Sequence, residues 1–153
     1  MQRSTIKTFL SVAILFVAAA GCKKTKVATS PSLALKETSS KEIPLNGDFE
    51  ATFSFTDKEG DADSLYVIRR RLNLKGPETK APLAFSVPKT GGEAEGEIET
   101  ILFYVRGLTL NFNPLGPSTN RERDTLSIRY VLKDRKKNTS DTVTIDNVIV
   151  TRQ

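Results

Sequence analysis

Period-two alternation constrains this chain more than any other feature. In Asp48–Asp57, DFEATFSFTD, Phe49, Ala51, Phe53 and Phe55 fall on one side, with Glu50, Thr52 and Ser54 on the other. Side chains repeat every second residue only in an extended strand, so the segment predicts a strand with one buried and one wet face. The pattern recurs along the chain. In Ser64–Leu74, Tyr66, Ile68, Leu72 and Leu74 share a face, which places Arg69 and Arg71 outside and leaves Arg70 as the exception. Leu83, Phe85 and Val87 form a short run between Pro82 and Pro88. Glu93, Glu95, Glu97 and Glu99 alternate with Ala94, Gly96, Ile98 and Thr100 and lead into ILFYV, and Leu108, Leu110 and Phe112 alternate again. Asp124–Leu132 and Thr142–Val150 are the last two predicted strands, joined through the polar turn Asp134–Asn138. Asn113–Asn120, with two prolines and a glycine, reads as a loop. No segment carries a 3.6-residue apolar stripe between helix caps. About seven or eight short strands with turn signals between them predict an all-β sandwich.

Composition narrows the chemistry. The 153 residues include no His, no Trp and one Cys. Cys/His zinc sites, Ser-His-Asp and Cys-His nucleophile systems and haem-His ligation all lack their residues. A disulfide within the chain is excluded. Carboxylate, Lys, Tyr and Ser/Thr chemistry remains, and the expectation is a module without catalytic activity.

The N-terminus reads as an address. Arg3 and Lys7 precede Phe9–Ala20, an apolar run interrupted only by Ser11. It is shorter than the roughly 20 residues that span a bilayer, and it fits a secretory signal. The run ends in Ala19-Ala20-Gly21-Cys22, which resembles the lipobox of bacterial lipoproteins. That resemblance implies cleavage before Cys22, diacylation of its thiol and acylation of the new amine. Each buried CH₂ contributes about 0.8 kcal/mol, so three acyl chains would anchor the protein stably. The expected organisation is a signal over 1–21, the lipidated Cys22 with a flexible tether over 22–40, and a sandwich over 41–153. Leu33-Ala34-Leu35 reads as the opening of an edge strand continued by Ile43-Pro44-Leu45, with Pro44 confining it to an edge. Removing Arg3 and Lys7, the only charges in 1–21, takes the formal charge from +5 to +3. Lys23, Lys24 and Lys26 fall beside the lipid, where a basic side chain contributes about 1 kcal/mol at an anionic surface. Lys23 stands where Asp would signal inner-membrane retention in some bacteria, so the outer membrane is expected. No acidic export tag follows Cys22, which favours the periplasmic face.

FSFTDKEGDAD, the Gly96-Glu97-Ile98 turn and DTLSIRYVLKDRKKNTSDTV resemble a group of small Gram-negative outer-membrane lipoproteins. Those carry an F-x-F-x-D-x-D-G-D turn and a terminal D-T hairpin of the same pattern. The resemblance covers Phe53 to Val150. Glu59 departs from it, replacing the middle Asp, and Leu102–Asn120 is longer and more apolar. It implies an immunoglobulin-like β-sandwich and supplies no reaction.

Four groups of residues invite chemistry. Asp57, Glu59, Asp61 and Asp63 place alternate carboxylates around Gly60, an oxygen-ligand pattern for Ca²⁺. It is not an EF-hand, because Gly60 is fourth rather than sixth and no Glu stands at position twelve. In an immunoglobulin-like topology Asp134 and Asn138 would approach this loop and complete the site. The other reading is a solvated turn whose Asp57 and Asp61 accept from nearby backbone N–H groups. Arg69-Arg70-Arg71 and Lys133, Arg135, Lys136 and Lys137 read as solvated basic faces, since nucleic acid would require a wider basic stripe interleaved with aromatics. Glu93, Glu95, Glu97 and Glu99 read as a wet strand face that protects an edge, not as a glycosidase pair. Asp63-Ser64-Leu65, Asp124-Thr125-Leu126 and Asp141-Thr142-Val143 resemble O-glycosylation acceptors of some Gram-negative envelopes. The functional expectation is a lipid-anchored binding or structural module of the cell envelope. The alternative is a carbohydrate-binding or enzyme-accessory lipoprotein of an outer-membrane complex. Expected partners are the membrane and an envelope protein or glycan, not nucleic acid.

Overall fold

A computed structural model describes residues 29–88 and 94–153. The signal, Cys22, Lys23, Lys24, Lys26 and Glu93 lie outside the described residues. The strands are β1 (Ser32–Thr38), β2 (Glu42–Ile43), β3 (Phe49–Thr56), β4 (Ala62–Arg71), β5 (Glu78–Thr79), β6 (Leu83–Ser86), β7 (Glu95–Leu102), β8 (Asp124–Asp134) and β9 (Val143–Val150). One sheet has the order β1-β3-β7. The other runs β2-β9-β8-β4-β5, with β6 also on β4. All pairs are antiparallel except β2 with β9. Consecutive strands β3 and β4 sit in different sheets, and the N-terminal segment is shared between both. This is an immunoglobulin-like β-sandwich.

The alternation in β3 does what the sequence predicts: Phe49, Ala51, Phe53 and Phe55 are buried. Opposite them β8 contributes Leu126, Ile128, Tyr130 and Leu132, and β9 contributes Ile145, Val148 and Val150. Phe53 and Tyr130 stack with ring centroids 4.5 Å apart and planes at 47°. Full burial of each large apolar side chain contributes roughly 1.5–3 kcal/mol. The step from Ile145 to Val148 breaks period two. The β8–β9 register shifts there, and Asn147 takes a positive φ of 60°, so a bulge keeps both side chains inside.

Four expectations change. The first strand starts at Ser32, inside the segment expected to be a tether over 22–40. Ile43 does not continue β1 but crosses to the other sheet and pairs parallel with β9. Leu108, Leu110 and Phe112 form no strand. Tyr104–Leu108 is a single π-helical turn, with Leu108 N–H donating to Phe103 O at 3.0 Å and Thr109 N–H to Tyr104 O at 2.9 Å. Asp48 Oδ1 accepts the Tyr104 N–H at 2.8 Å, and Thr109 Oγ1 donates to Tyr104 O at 2.8 Å, so both ends of the turn are tied. The fourth change is the phase of β4, whose inward residues are Leu65, Val67, Arg69 and Arg71. Tyr66, Ile68 and Arg70 point the other way and are half-buried.

Candidate functional site

Strand direction sorts the interesting residues to two ends. Ser32 pairs with Thr56, which pairs with Glu95, and Ala62 pairs with Asp134. The loop 57–61 and the turn 135–138 therefore share the end where the described chain begins, the near end. At the far end, Phe49 pairs with Leu102, Arg71 with Leu126, and Asp124 with Val150.

The near end holds the acidic residues, as topology predicted. Two of the carboxylates, Asp57 and Asp134, are spent on local backbone. Buried Asp57 accepts the N–H groups of Asp61 at 2.8 Å and Glu59 at 3.3 Å. Buried Asp134 accepts Asn138 N–H at 2.7 Å and Asn138 Nδ2 at 2.6 Å. Glu59 accepts Thr29 N–H at 3.1 Å and Thr29 Oγ1 at 2.7 Å, and these bonds hold its carboxyl below the usual range. Asp63 accepts the Ser64 hydroxyl at 2.7 Å. Asp61 is pushed up, first by desolvation and then by the Asp57 charge, with Lys136 opposing. Among the described residues no three carboxylates converge with ligand spacing. Asp57, Glu59, Asp61, Asp63 and Asp134 thus share one end, where Asp57 and Asp134 shape their turns by accepting backbone N–H groups and Asp61 Oδ1 is buried without a hydrogen-bond partner among the described residues. Glu95, Glu97 and Glu99 face out from β7, and Lys36 pairs with Glu97 at 2.5 Å.

The far end holds what the sequence reading missed. Arg69 and Arg71 are each 1% exposed, inside the sandwich rather than outside it. They reach the segment that follows β7. Arg69 Nη1 donates to Gly107 O at 2.6 Å and Leu110 O at 3.3 Å. Arg71 Nη1 donates to Asn113 O at 2.9 Å, and its Nη2 lies 3.0 Å from buried Asp124 Oδ1. Arg152 Nε stands 2.7 Å from Asp124 Oδ2, and its Nη2 donates to Phe112 O at 2.7 Å. The Arg71, Lys80 and Arg69 cations lie 4.7, 5.2 and 5.8 Å from the Phe112 ring centre. Burial lowers the Arg69 pKa and raises that of Asp124, the latter opposed by Arg152 and Arg71. Irregular backbone inside a sandwich needs donors for its carbonyls. These guanidiniums supply them, with five N–H donors each.

The segment so held displays apolar side chains to solvent. Phe103 is 56% exposed and Val105 64%, and Ile101 beside them is 38%. One groove beside Phe103 is lined by Leu83, Ala84, Phe85, Ile101 and Arg106. A second is lined by Asn46, Asp48, Tyr104, Val105 and Arg106. β6 and β7, which border the first groove, are edge strands of their respective sheets. Read as a strand, ILFYV puts Ile101, Phe103 and Val105 on the wet face of the glutamates, but period two says nothing of the turn that carries Phe103 and Val105. The one available signal is the length and apolarity of Leu102–Asn120.

No protein-family model and no curated protein sequence matches the chain. Among solved structures, a β-glucosidase from Listeria innocua in complex with gluconolactone aligns with TM-score 0.42 and 12% identity, over 78% of this chain and 16% of that one. The sporulation control protein from Bacillus subtilis aligns with TM-score 0.44 and 9% identity, over 81% of this chain and 51% of that one. A Niemann-Pick type C2 protein from Japanese carpenter ant aligns with TM-score 0.41 and 12% identity, over 76% and 90% of the two chains. The chain thus spans about a sixth of the β-glucosidase and half of the sporulation protein.

Proposed function

We propose that this protein is a non-catalytic, lipid-anchored binding module of the bacterial outer membrane. Cys22 carries the anchor and the far end of the sandwich carries the binding face. One observation supports the face above others: Phe103 and Val105 are exposed by 56% and 64% on a turn tied at both ends. Exposed apolar groups on a fixed backbone lose little entropy on binding. Clusters of them mark interaction sites on soluble domains. A protein segment of apolar character fits the groove between β6 and β7. The anchor is supported by the lipobox resemblance and by the position of the only Cys.

A glycan is the second reading, favoured by one feature. The exposed Phe103 ring stands beside Asn46, Asp48 and Arg106, which combine a stacking face with amide, carboxylate and guanidinium groups. Two experiments test the function. Cys22→Ser is expected to release the protein from detergent-phase fractions or block its maturation; unchanged partition would contradict the anchor. A glycan array probed with the purified chain is expected to stay blank. Reproducible binding lost in Phe103→Ser would replace the protein partner with a sugar.

A further inference from the structure

At the near end the charges divide by sign between the interior and the solvent. Its carboxylates turn inward: Asp57 and Asp134 are buried against their own turns, and Glu59 is bonded to Thr29. Its cations turn outward. Lys58, Arg135, Lys136 and Lys137 are all exposed. None of the four is ion-paired among the described residues, whereas Lys36, Arg71, Lys80, Arg123 and Arg152 all are. The turn is fixed in shape. Asp134 N–H donates to Asn138 O at 3.0 Å, Lys137 N–H to Asp134 O at 3.1 Å, and Arg135 N–H to Asp61 O at 3.1 Å, which ties the turn to the acidic loop. Lys137 holds a φ of 71°, a left-handed conformation that closes a three-residue hairpin loop. The exposed carboxylates nearby, Asp63, Glu95 and Asp141, belong to the approaches of the strands rather than to the turn tips.

Chain geometry says what this end faces. Thr29 bonds Glu59 at the near end, and Cys22 precedes Thr29 by seven residues. Seven residues reach about 25 Å at most. The eight residues of β3 make seven steps and span about 24 Å between the ends, so the far end comes within reach of Cys22 only along a fully extended tether. Any shorter path from Cys22 to Thr29 keeps the near end at the bilayer and points Phe103 away from it.

We infer that the turn formed by Arg135, Lys136 and Lys137, with Lys58, docks onto the anionic phosphate headgroups of the membrane that holds Cys22. The inference rests on the lipid-anchor proposal for its geometry. Each basic side chain near an anionic surface contributes about 1 kcal/mol, or roughly fivefold in affinity. The contact fixes the orientation of the module rather than its attachment.

Orientation is measurable because Cys22 is the only cysteine. With Cys22 acylated, Thr139→Cys offers one labelling site beside the turn, and Val105→Cys one at the far end. The labelled, acylated proteins are reconstituted into neutral phosphatidylcholine vesicles and into vesicles with one-third phosphatidylglycerol, each carrying a headgroup-level quencher. The probe at 139 is expected to be quenched several-fold more on the anionic vesicles. Half-molar NaCl is expected to relieve the quenching, and the probe at 105 to stay bright on both. Arg135→Ser/Lys136→Ser/Lys137→Ser is expected to remove the anionic preference without detaching the protein. Equal quenching of the 139 probe on both vesicles, or a triple variant that behaves like wild type, would overturn the inference. Relief by inorganic phosphate beyond that of chloride at equal ionic strength would overturn the assignment to a lipid surface. Flotation separates failure of the anchor. If the protein does not float with neutral vesicles, the anchor proposal falls. The basic turn then stands only if flotation occurs on anionic vesicles and drops roughly a hundredfold in affinity in the triple variant; flotation on neither vesicle overturns both.

Discussion

The two ends of the sandwich handle charge in opposite ways. At the near end the two buried carboxylates are tied off within a few residues of their own position, Asp57 to Asp61 and Asp134 to Asn138. At the far end, guanidiniums from β4 reach some forty residues along the chain to hold Gly107, Leu110 and Asn113. Local bonding makes a turn that closes by itself. Long-range bonding makes a turn that exists only once the sandwich has closed, and so can hold Phe103 and Val105 out to solvent on a fixed backbone. The difference predicts that the far end fails cooperatively and the near end piecemeal.

The largest expected effect is at the far end. Arg71→Ala leaves Asp124 buried with Arg152 as its remaining close cation, and removing one partner of a buried pair typically costs 3–5 kcal/mol. Urea denaturation reads this directly. A loss under about 1 kcal/mol would mean the cluster does not hold the far end together.

Next comes alkaline stability. Burial pushes the Tyr130 phenol up to about 12, opposed by Thr100. Above the ordinary tyrosine pKa of about 10, the unfolded chain releases this proton while the folded chain keeps it. Stability should therefore fall as pH rises from about 10 to 12, by about 1.4 kcal/mol per pH unit. Tyr130→Phe should flatten that slope, since no proton remains to release; equal slopes in both proteins would contradict the assignment.

Gly107→Ala should cost about 1–3 kcal/mol. A Cβ there would meet Leu102 Cα at 2.7 Å and Leu102 C at 2.8 Å, both backbone atoms that yield only if the turn shifts. The measurement is thermal melting together with thiol labelling at Val105→Cys, which should accelerate if the turn has moved.

The near end should respond less. Asp134→Ala orphans the Asn138 N–H and should cost about 1–2 kcal/mol. Calcium at millimolar concentration should raise the Tm no more than magnesium does, because Asp57, Asp134 and Glu59 are engaged by backbone and by Thr29 and no three carboxylates converge among the described residues. A calcium-specific rise abolished by Asp57→Asn with Asp61→Asn would show that the loop reopens to ligate a cation.

Much of the fold was legible because β3, β8 and β9 are ordinary half-buried strands, and apolar alternation is a direct record of burial. β4 was not. Leu65/Val67 and Tyr66/Ile68 offer two phases of nearly equal apolarity, and Leu72 and Leu74, in step with Tyr66 and Ile68, favour the second. What buries Arg69 and Arg71 is a set of carbonyls some forty residues away, which no local pattern records. The same cause hid the far-end site. Leu108, Leu110 and Phe112 alternate in sequence, yet buried Leu108 and Phe112 flank a turn whose backbone bonds are met by Arg69, Thr109 and Asp48. The near-end turn was read in outline because Asp, Asn and Gly signal it locally.

The central claim is that the far end meets a partner while the sandwich flank does not. Photocrosslinking residues placed at Val105 and at exposed Thr144 on β9 test it in intact cells. A discrete adduct from position 105, absent from position 144 and lost with Phe103→Ser, is the expected result. No adduct from 105, or equal adducts from both positions, would contradict it.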